Sequence, residues 1–255
     1  MAACLKWIWT DAAPELTKIT IGKPMKQTLK LLAAAALIAL PALTAEAQDF
    51  GNLRFFAKDN KVLSTPPAKG EKRVVFFGNS ITECWWLRYN DFFQRPGYIA
   101  RGIGGQTTYH FLYRFRSDVI DIHASLVVIC AGGNDIAENS CPYNEDVTFG
   151  NIESMVEIAR ANNVKVVLTS LLPTARYGWS KAQNVPDKIR SLNRRLEAYA
   201  KEKKIPYVNY YDALVDADGI SLKPIYTDDG VHPVKAGYEV MEKLVVPVIE
   251  KTLKK

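Results

Sequence analysis

The chain alternates short apolar runs with longer segments in which apolar residues recur every three to four positions. The apolar runs have the length of strands buried on both faces and lie near residues 74–77, 98–101, 126–131, 164–169 and 205–209. The periodic segments predict helices near residues 106–119, 148–162, 185–203 and 235–253. Strands that alternate with helices form a parallel sheet covered on both faces, so we expect a three-layer α/β/α sandwich with about five strands.

Residues 1–47 follow a different pattern. A basic segment that begins at Met25 precedes an apolar run over 31–43, and small residues follow up to Ala47. The run is too short to span a bilayer comfortably, and the arrangement is typical of a secretory signal peptide. We therefore predict an N-terminal extension, a start at Met25, cleavage after Ala47 and one domain over 48–255. The protein would be secreted or periplasmic without a stable membrane anchor; a retained signal anchor is the alternative.

The charge and the cysteines of the chain give no indication of a nucleic-acid partner or of a metal site. The net charge is +6, and the basic residues are not interleaved with aromatic residues as in a nucleic-acid groove, so we expect no nucleic-acid partner. Residues 48–255 contain three cysteines, Cys84, Cys130 and Cys141. Cys130 lies in an apolar run and is expected to be buried, while a disulfide between Cys84 and Cys141 stays open. No Cys/His spacing typical of a metal site occurs, so we expect no metal.

The turn after the first apolar run carries a candidate nucleophile. Ser80 follows Gly78 and Asn79 at the carboxyl end of the first predicted strand, and ligands bind at this edge of parallel sheets. Ser80 and Glu83 also have the spacing of a capping box, so Ser80 alone would be interpreted as a helix N-cap. A nucleophilic serine needs a histidine that is held by an acid.

One histidine meets that need. Residues 48–255 contain three histidines, His110, His123 and His232. His232 follows Asp229 by three residues, in a turn that contains glycine and proline. Asp229 can hold one ring nitrogen while the other faces Ser80. Asp228 is the second choice because its spacing is one residue longer. His110 and His123 are expected to serve packing or the surface.

Two further loops can supply donors to an oxyanion. The glycines between Gly102 and Gly105 follow the second apolar run and let a backbone amide approach a substrate closely. Asn134 follows the third run and can add its side-chain amide, and the Ser80 amide makes a third donor. The glycine run lacks the G-x-G-x-x-G pattern and does not follow the first strand, so we expect no dinucleotide and no other cofactor.

In chain order, the four segments contain Ser80, the glycines between Gly102 and Gly105, Asn134, and Asp229 with His232. In this order they resemble the SGNH hydrolases, also called GDSL-type esterases and lipases, over nearly all of residues 70–250. The resemblance implies a flavodoxin-like sheet and a Ser-His-Asp mechanism. It implies catalytic roles for Ser80, Asp229 and His232 and oxyanion roles for Ser80, Gly105 and Asn134. The first segment departs from the family pattern at Asn79, where aspartate is more usual. We expect this exchange to keep the chemistry and to alter the site modestly.

The substrate is less specified, because SGNH hydrolases include lipases, thioesterases, lysophospholipases and carbohydrate deacetylases. Four aromatic residues follow strand ends at the predicted site and could stack on a sugar ring, although core packing is the alternative for one of each pair. The candidate substrate contacts are Asn79, Trp85, Trp86, Tyr177 and Trp179. We predict an exported hydrolase that removes acetyl or other short acyl groups from carbohydrate. The alternatives are a lipid esterase or lysophospholipase, and a non-catalytic glycan-binding protein.

Overall fold

Residues 49–254 are described by a computed structural model. The predicted signal peptide and the residues before it lie outside this range. Among the described residues, no helix combines the length and the apolar character needed to cross a bilayer.

Five parallel strands form one sheet in the order β2-β1-β3-β4-β5. The strands are β1 (Val74–Gly78), β2 (Tyr98–Gly102), β3 (Leu126–Ile129), β4 (Lys165–Thr169) and β5 (Tyr207–Val208). The predicted α/β fold with a parallel five-stranded sheet is confirmed. β5 is shorter than predicted, because the amide of Ile205 bonds to the Ala200 carbonyl of the preceding helix and not to β4.

The described residues also contain eight α-helices, numbered here in chain order. They are α1 (Ala57–Leu63), α2 (Ser80–Arg88), α3 (Thr108–Phe115), α4 (Gly133–Ile136), α5 (Glu145–Ala161), α6 (Val185–Glu202), α7 (Tyr210–Leu214) and α8 (Lys235–Lys254). The predicted helices correspond to α3, α5, α6 and α8. The helix predicted over 106–119 has α-helical geometry to Phe115 and then one π-turn, Arg116–Ile120.

Strand β1 shows why the sheet is covered on both faces. Its successive side chains point in opposite directions, and all of them are buried. Val75 and Phe77 pack with apolar side chains of α3, α5 and α6. Val74 and Phe76 pack with those of α2 and α8. The sheet therefore lies between two helical layers, and its carboxyl edge remains free for functional loops.

A buried arginine on α3 ties the carboxyl ends of β1 and β2 together. Arg114 Nη2 donates to the carbonyl oxygens of Gly78, at 3.0 Å, and Arg101, at 3.1 Å. Its Nε donates to Gln106 Oε1 at 2.6 Å, and its Nη1 donates to Asp118 Oδ2 at 2.7 Å. Burial lowers the pKa of Arg114 to about 10, against the opposing effect of Asp118, so the guanidinium stays charged at neutral pH.

The N-terminal arm, residues 49–63, is attached to the same group of side chains. Asn60 on α1 accepts from Arg101 Nη2 at 2.8 Å and donates to Asp118 Oδ1 at 2.6 Å. Nearer the start of the arm, the Gly51 carbonyl accepts from Gln106 Nε2 at 3.0 Å. α1 itself contains no buried residue, so the arm is held by these polar contacts and by Phe56, which is buried directly before α1.

Replacing Arg114 by methionine should lower the free energy of unfolding by about 3–5 kcal/mol, because Asp118 and two strand-end carbonyls would lose a buried partner. Urea denaturation followed by circular dichroism measures this change. Arg190→Met is the matched control: Arg190 forms an exposed ion pair with Asp187, and its loss should cost less than about 1 kcal/mol. Equal effects of the two substitutions would contradict the role given to Arg114.

Candidate active site

Ser80 is the first residue of α2, and only Asn79 separates it from the end of β1. The helix is capped by Asn79, whose Oδ1 accepts from the amide of Ile81 at 3.0 Å. The alternative interpretation of Ser80 as the N-cap is therefore wrong, because the cap lies one residue earlier. Asn79 is buried, and its capping role leaves the Ser80 hydroxyl free to contact another group.

The structure brings Ser80, His232 and Asp229 into one chain of hydrogen bonds. His232 Nε2 lies 2.9 Å from Ser80 Oγ. His232 Nδ1 lies 2.7 Å from Asp229 Oδ2. Such an arrangement lets the imidazole take a proton from the serine hydroxyl while the carboxylate holds the ring. Asp228, the second choice for the acid, is exposed and makes no hydrogen bond to His232.

A tight turn before α8 sets the orientation of Asp229. Its Oδ1 accepts from the amides of Val231, at 2.9 Å, and His232, at 2.8 Å. Thr227 Oγ1 donates to the His232 carbonyl at 2.9 Å and closes the same turn. Partial burial favours a higher pKa for Asp229, but the hydrogen bonds from His232 and Val231 outweigh it and lower the pKa to about 2. The carboxylate is therefore ionised at neutral pH.

The three candidate oxyanion donors lie on neighbouring strand ends. Gly105 has φ +76°, a conformation that side-chain-bearing residues rarely adopt, so glycine is needed in this turn. Asn134 on α4 is buried, and its Nδ2 donates to the Gln106 carbonyl at 2.9 Å. An amide nitrogen carries two hydrogens, so one remains for a substrate oxygen. Asn134 and Ser80 line the same cavity.

Two acidic residues lie near these donors, Asp135 directly after Asn134 and Glu83 on α2. Asp135 accepts from the Thr108 amide at 3.0 Å and from Thr108 Oγ1 at 2.5 Å, which fixes the start of α3 against the Asn134 loop. Burial raises the pKa of Asp135, and the bonds from Thr108 act in the opposite direction. Burial also raises the pKa of Glu83, against the Gly104 amide and the charge of His232. The sequence placed Glu83 only in a possible capping box with Ser80, and it assigned no role to Asp135, whose partner Thr108 lies 27 residues away in the chain.

The aromatic candidates separate into two pairs. The prediction that Trp85 contacts substrate is wrong: its side chain is 2% exposed, stacks on Phe92 at 4.7 Å and donates from Nε1 to Glu242 Oε1 at 3.3 Å. Trp86 is half-buried and does not line the cavity at Ser80. Tyr177 lines that cavity. The Trp179 ring lies 6.2 Å from the His232 ring at an interplanar angle of 25°.

The other histidines and the cysteines lie outside the chain of hydrogen bonds. His110 stacks on Phe50 at 4.4 Å, and His123 Nε2 lies 2.9 Å from the Ser64 carbonyl oxygen. Cys84 and Cys141 are free thiols, so the disulfide left open by the sequence is not formed in the structure. Within residues 49–254, no three His, Cys, Asp or Glu side chains are grouped so that they could hold a metal ion.

A family model described as the GDSL-like lipase/acylhydrolase family matches residues 76–240. The chain belongs to this family. This confirms the resemblance found in the four motifs, and the chain is accordingly an ester-bond hydrolase.

Similar proteins include two solved structures and a curated relative. A GDSL-like lipase of Bacteroides thetaiotaomicron is 55% identical with a TM-score of 0.77, and the match covers 79% of this chain and 98% of the other. A proposed acylhydrolase of Bacteroides fragilis is 56% identical with a TM-score of 0.78, over 80% and 98% of the chains. The platelet-activating factor acetylhydrolase IB subunit alpha2 of Homo sapiens is 25% identical over 217 residues, which are 79% of this chain and 88% of that protein.

For this GDSL-like acylhydrolase, Asp229→Asn should lower kcat by on the order of 10⁴-fold, because an amide at this position favours the wrong imidazole tautomer. Hydrolysis of p-nitrophenyl acetate measures the loss. Asp228→Asn is the matched control and should change kcat less than about threefold, since Asp228 is exposed and makes no hydrogen bond to His232. The same loss in both variants would contradict the assignment of Asp229.

The pH dependence should show one titrating group on the acid side. Asp229, with a pKa of about 2, stays ionised over the working range, so it should add no proton uptake to the acid limb of the profile. We expect kcat/KM to fall about tenfold for each pH unit on the acid limb. Rates in buffers of constant ionic strength check this slope. A fall in kcat/KM of about a hundredfold for each pH unit would indicate the uptake of two protons and would contradict an Asp229 that stays ionised.

Proposed function

We propose that this protein is an exported serine esterase that removes acetyl or other short acyl groups from carbohydrate. Ser80 is the nucleophile, His232 the general base and acid, and Asp229 the residue that orients the imidazole. The observation that carries the proposal is a small cavity between Ser80 and Asn134, which leaves little room for an acyl chain. Export rests on the signal-peptide pattern of residues 25–47, and Gln48 is then the first residue of the mature protein.

The proposed reaction has two steps. Ser80 Oγ transfers its proton to His232 Nε2 and attacks the ester carbonyl carbon. The Ser80 and Gly105 amides and Asn134 Nδ2 stabilise the oxyanion, which then collapses and releases the alcohol with the proton from His232. In the second step, His232 takes a proton from water, and the resulting attack releases the carboxylic acid and regenerates Ser80. Atoms and protons balance without a further reactant.

The size of the cavity supports a short acyl group. Its volume is about 20 Å³, which is room for a single water-sized group such as a methyl. Its wall is largely apolar and includes Ala131, Leu171, Tyr177 and Val231, all of them buried. Such a wall accepts a methyl group and stops a longer chain, because a packed interior does not yield easily to added methylenes.

The other half of the substrate is proposed to be a sugar. Trp179 is 52% exposed and lies beside His232, where the alcohol of the ester leaves. An exposed indole face next to polar groups suits a sugar ring, whose faces are apolar and whose edge carries hydroxyls. The curated relative is named a platelet-activating factor acetylhydrolase. Its name therefore describes the hydrolysis of an acetyl group, which supports the acyl part of the proposal.

The acyl preference is tested with p-nitrophenyl esters from acetate to decanoate. The purified protein should hydrolyse the acetate fastest, and kcat/KM should fall at least about tenfold by the hexanoate, because the added methylenes have no space beside Ser80. A preference for the decanoate would contradict the proposal and favour a lipid esterase.

Ser80→Ala is the control for this series, and it should reduce kcat by on the order of 10⁶-fold, since the nucleophile is lost. Activity that is equal in the variant and in the unaltered protein would place the chemistry elsewhere. Activity absent from both proteins would favour the non-catalytic glycan-binding alternative.

A further inference from the structure

An open groove is lined by the Gly105 turn and shares no lining residue with the small cavity at Ser80. Its volume is about 520 Å³, which is in the range of sites for small organic ligands. Its lining is mostly polar, with one large aromatic side chain, and includes Gly105, Glu138, Asn139, Trp179, Ser180 and Lys181. A polar wall does not suit an alkyl chain, whereas it can pair with the hydroxyls of a sugar.

The Trp179 ring is held in place from its edge. Its Nε1 donates to Asn139 Oδ1 at 2.9 Å. On the side of the catalytic residues, the ring lies near His232 and 5.2 Å from the Tyr177 ring. An exposed indole fixed in this way presents a ready surface for stacking, and binding does not have to order it.

Asn139 connects this indole to the candidate oxyanion turn. While its Oδ1 accepts from Trp179, its Nδ2 donates to the Gly105 carbonyl at 3.1 Å. The residue before it, Glu138, has φ +58°, which is unusual for a residue with a side chain. This bend lies at the point where the chain leaves α4 and turns Asn139 towards both partners. One side chain therefore fixes the spacing between the groove wall and the oxyanion turn.

We propose that the groove is the subsite for the alcohol half of the ester, that it binds a sugar ring stacked on Trp179, and that Asn139 is a positioning residue that couples this subsite to the Gly105 turn. This inference rests on the proposed function. Glu138 and Lys181 also line the groove, and Glu138, which pairs with Lys188 Nζ at 3.4 Å, keeps acceptor positions for a ring hydroxyl. The acyl group enters the small cavity at Ser80, which shares no lining residue with the groove, so the two halves of the substrate occupy separate sites.

The subsite is tested with two acetyl esters that differ in the alcohol, 6-O-acetylglucose, which keeps free ring hydroxyls, and ethyl acetate. Ethyl acetate has no ring to place in the groove. Trp179→Ala should lower kcat/KM for 6-O-acetylglucose about tenfold more than kcat/KM for ethyl acetate. Ile225→Ala, which removes an exposed apolar side chain outside the groove, is the matched control and should change neither.

The coupling role of Asn139 is tested with two substitutions. Asn139→Asp keeps an oxygen for Trp179 Nε1 but loses the donor to Gly105, so kcat should fall for both esters while their ratio of kcat/KM stays near that of the unaltered protein. Asn139→Ala loses both bonds, so kcat should fall and the ratio should also move towards ethyl acetate. If Asn139 had only a structural role, each variant would lower kcat/KM for the two esters by the same factor. That result in both variants would overturn the coupling.

Other outcomes separate the inference from the function on which it rests. An unaltered protein that hydrolyses no acetyl ester contradicts the proposed function and, with it, the subsite. An active protein in which Trp179→Ala lowers both esters equally, or neither, overturns the subsite alone. A strong preference for an acetylated glycerophospholipid over 6-O-acetylglucose overturns the assignment of a sugar ring and favours a lipid alcohol.

Discussion

The site depends on the burial of one charged side chain, Arg114. A guanidinium removed from water is tolerated only if its donors are satisfied, and here they reach Asp118, Gln106 and two strand-end carbonyls. The carbonyls belong to the last residue of β1 and the penultimate residue of β2. Since Ser80 and Gly105 follow these strands, Arg114 fixes the distance between the candidate nucleophile and an oxyanion donor without contacting either.

Further buried and partly buried hydrogen bonds hold the residues that follow the strand ends. The candidate oxyanion turn is held from two segments. Asn134 on α4 binds the Gln106 carbonyl, Asn139 after α4 binds the Gly105 carbonyl, and Arg114 on α3 binds the Gln106 side chain. Preorganised donors stabilise a developing charge without having to reorient during the reaction. Asp135 accepts a hydrogen bond from the Thr108 amide and so connects the start of α3 to the segment that contains Asn134. The turn is thus ordered before any substrate arrives.

Much of this could be predicted from the sequence where local pattern and chemistry agree. The strand ends, the Ser80 turn and the pairing of Asp229 with His232 are encoded by short spacings and by apolar runs. α1 could not be predicted because it has no buried residue and therefore no apolar period. Trp85 and Trp86 are neighbours on one helix, and the sequence does not specify which faces Phe76. The contacts of Arg114 and Asn139 join distant segments, so no local spacing reveals them.

The central claim is that Ser80 is activated by His232 in a preformed site. The most direct test is covalent labelling with a fluorophosphonate followed by mass spectrometry of the peptides. The label should appear on the peptide that contains Ser80, and the labelling rate should fall by several orders of magnitude in His232→Ala. Labelling of a different residue, or an unchanged rate in His232→Ala, would contradict the account.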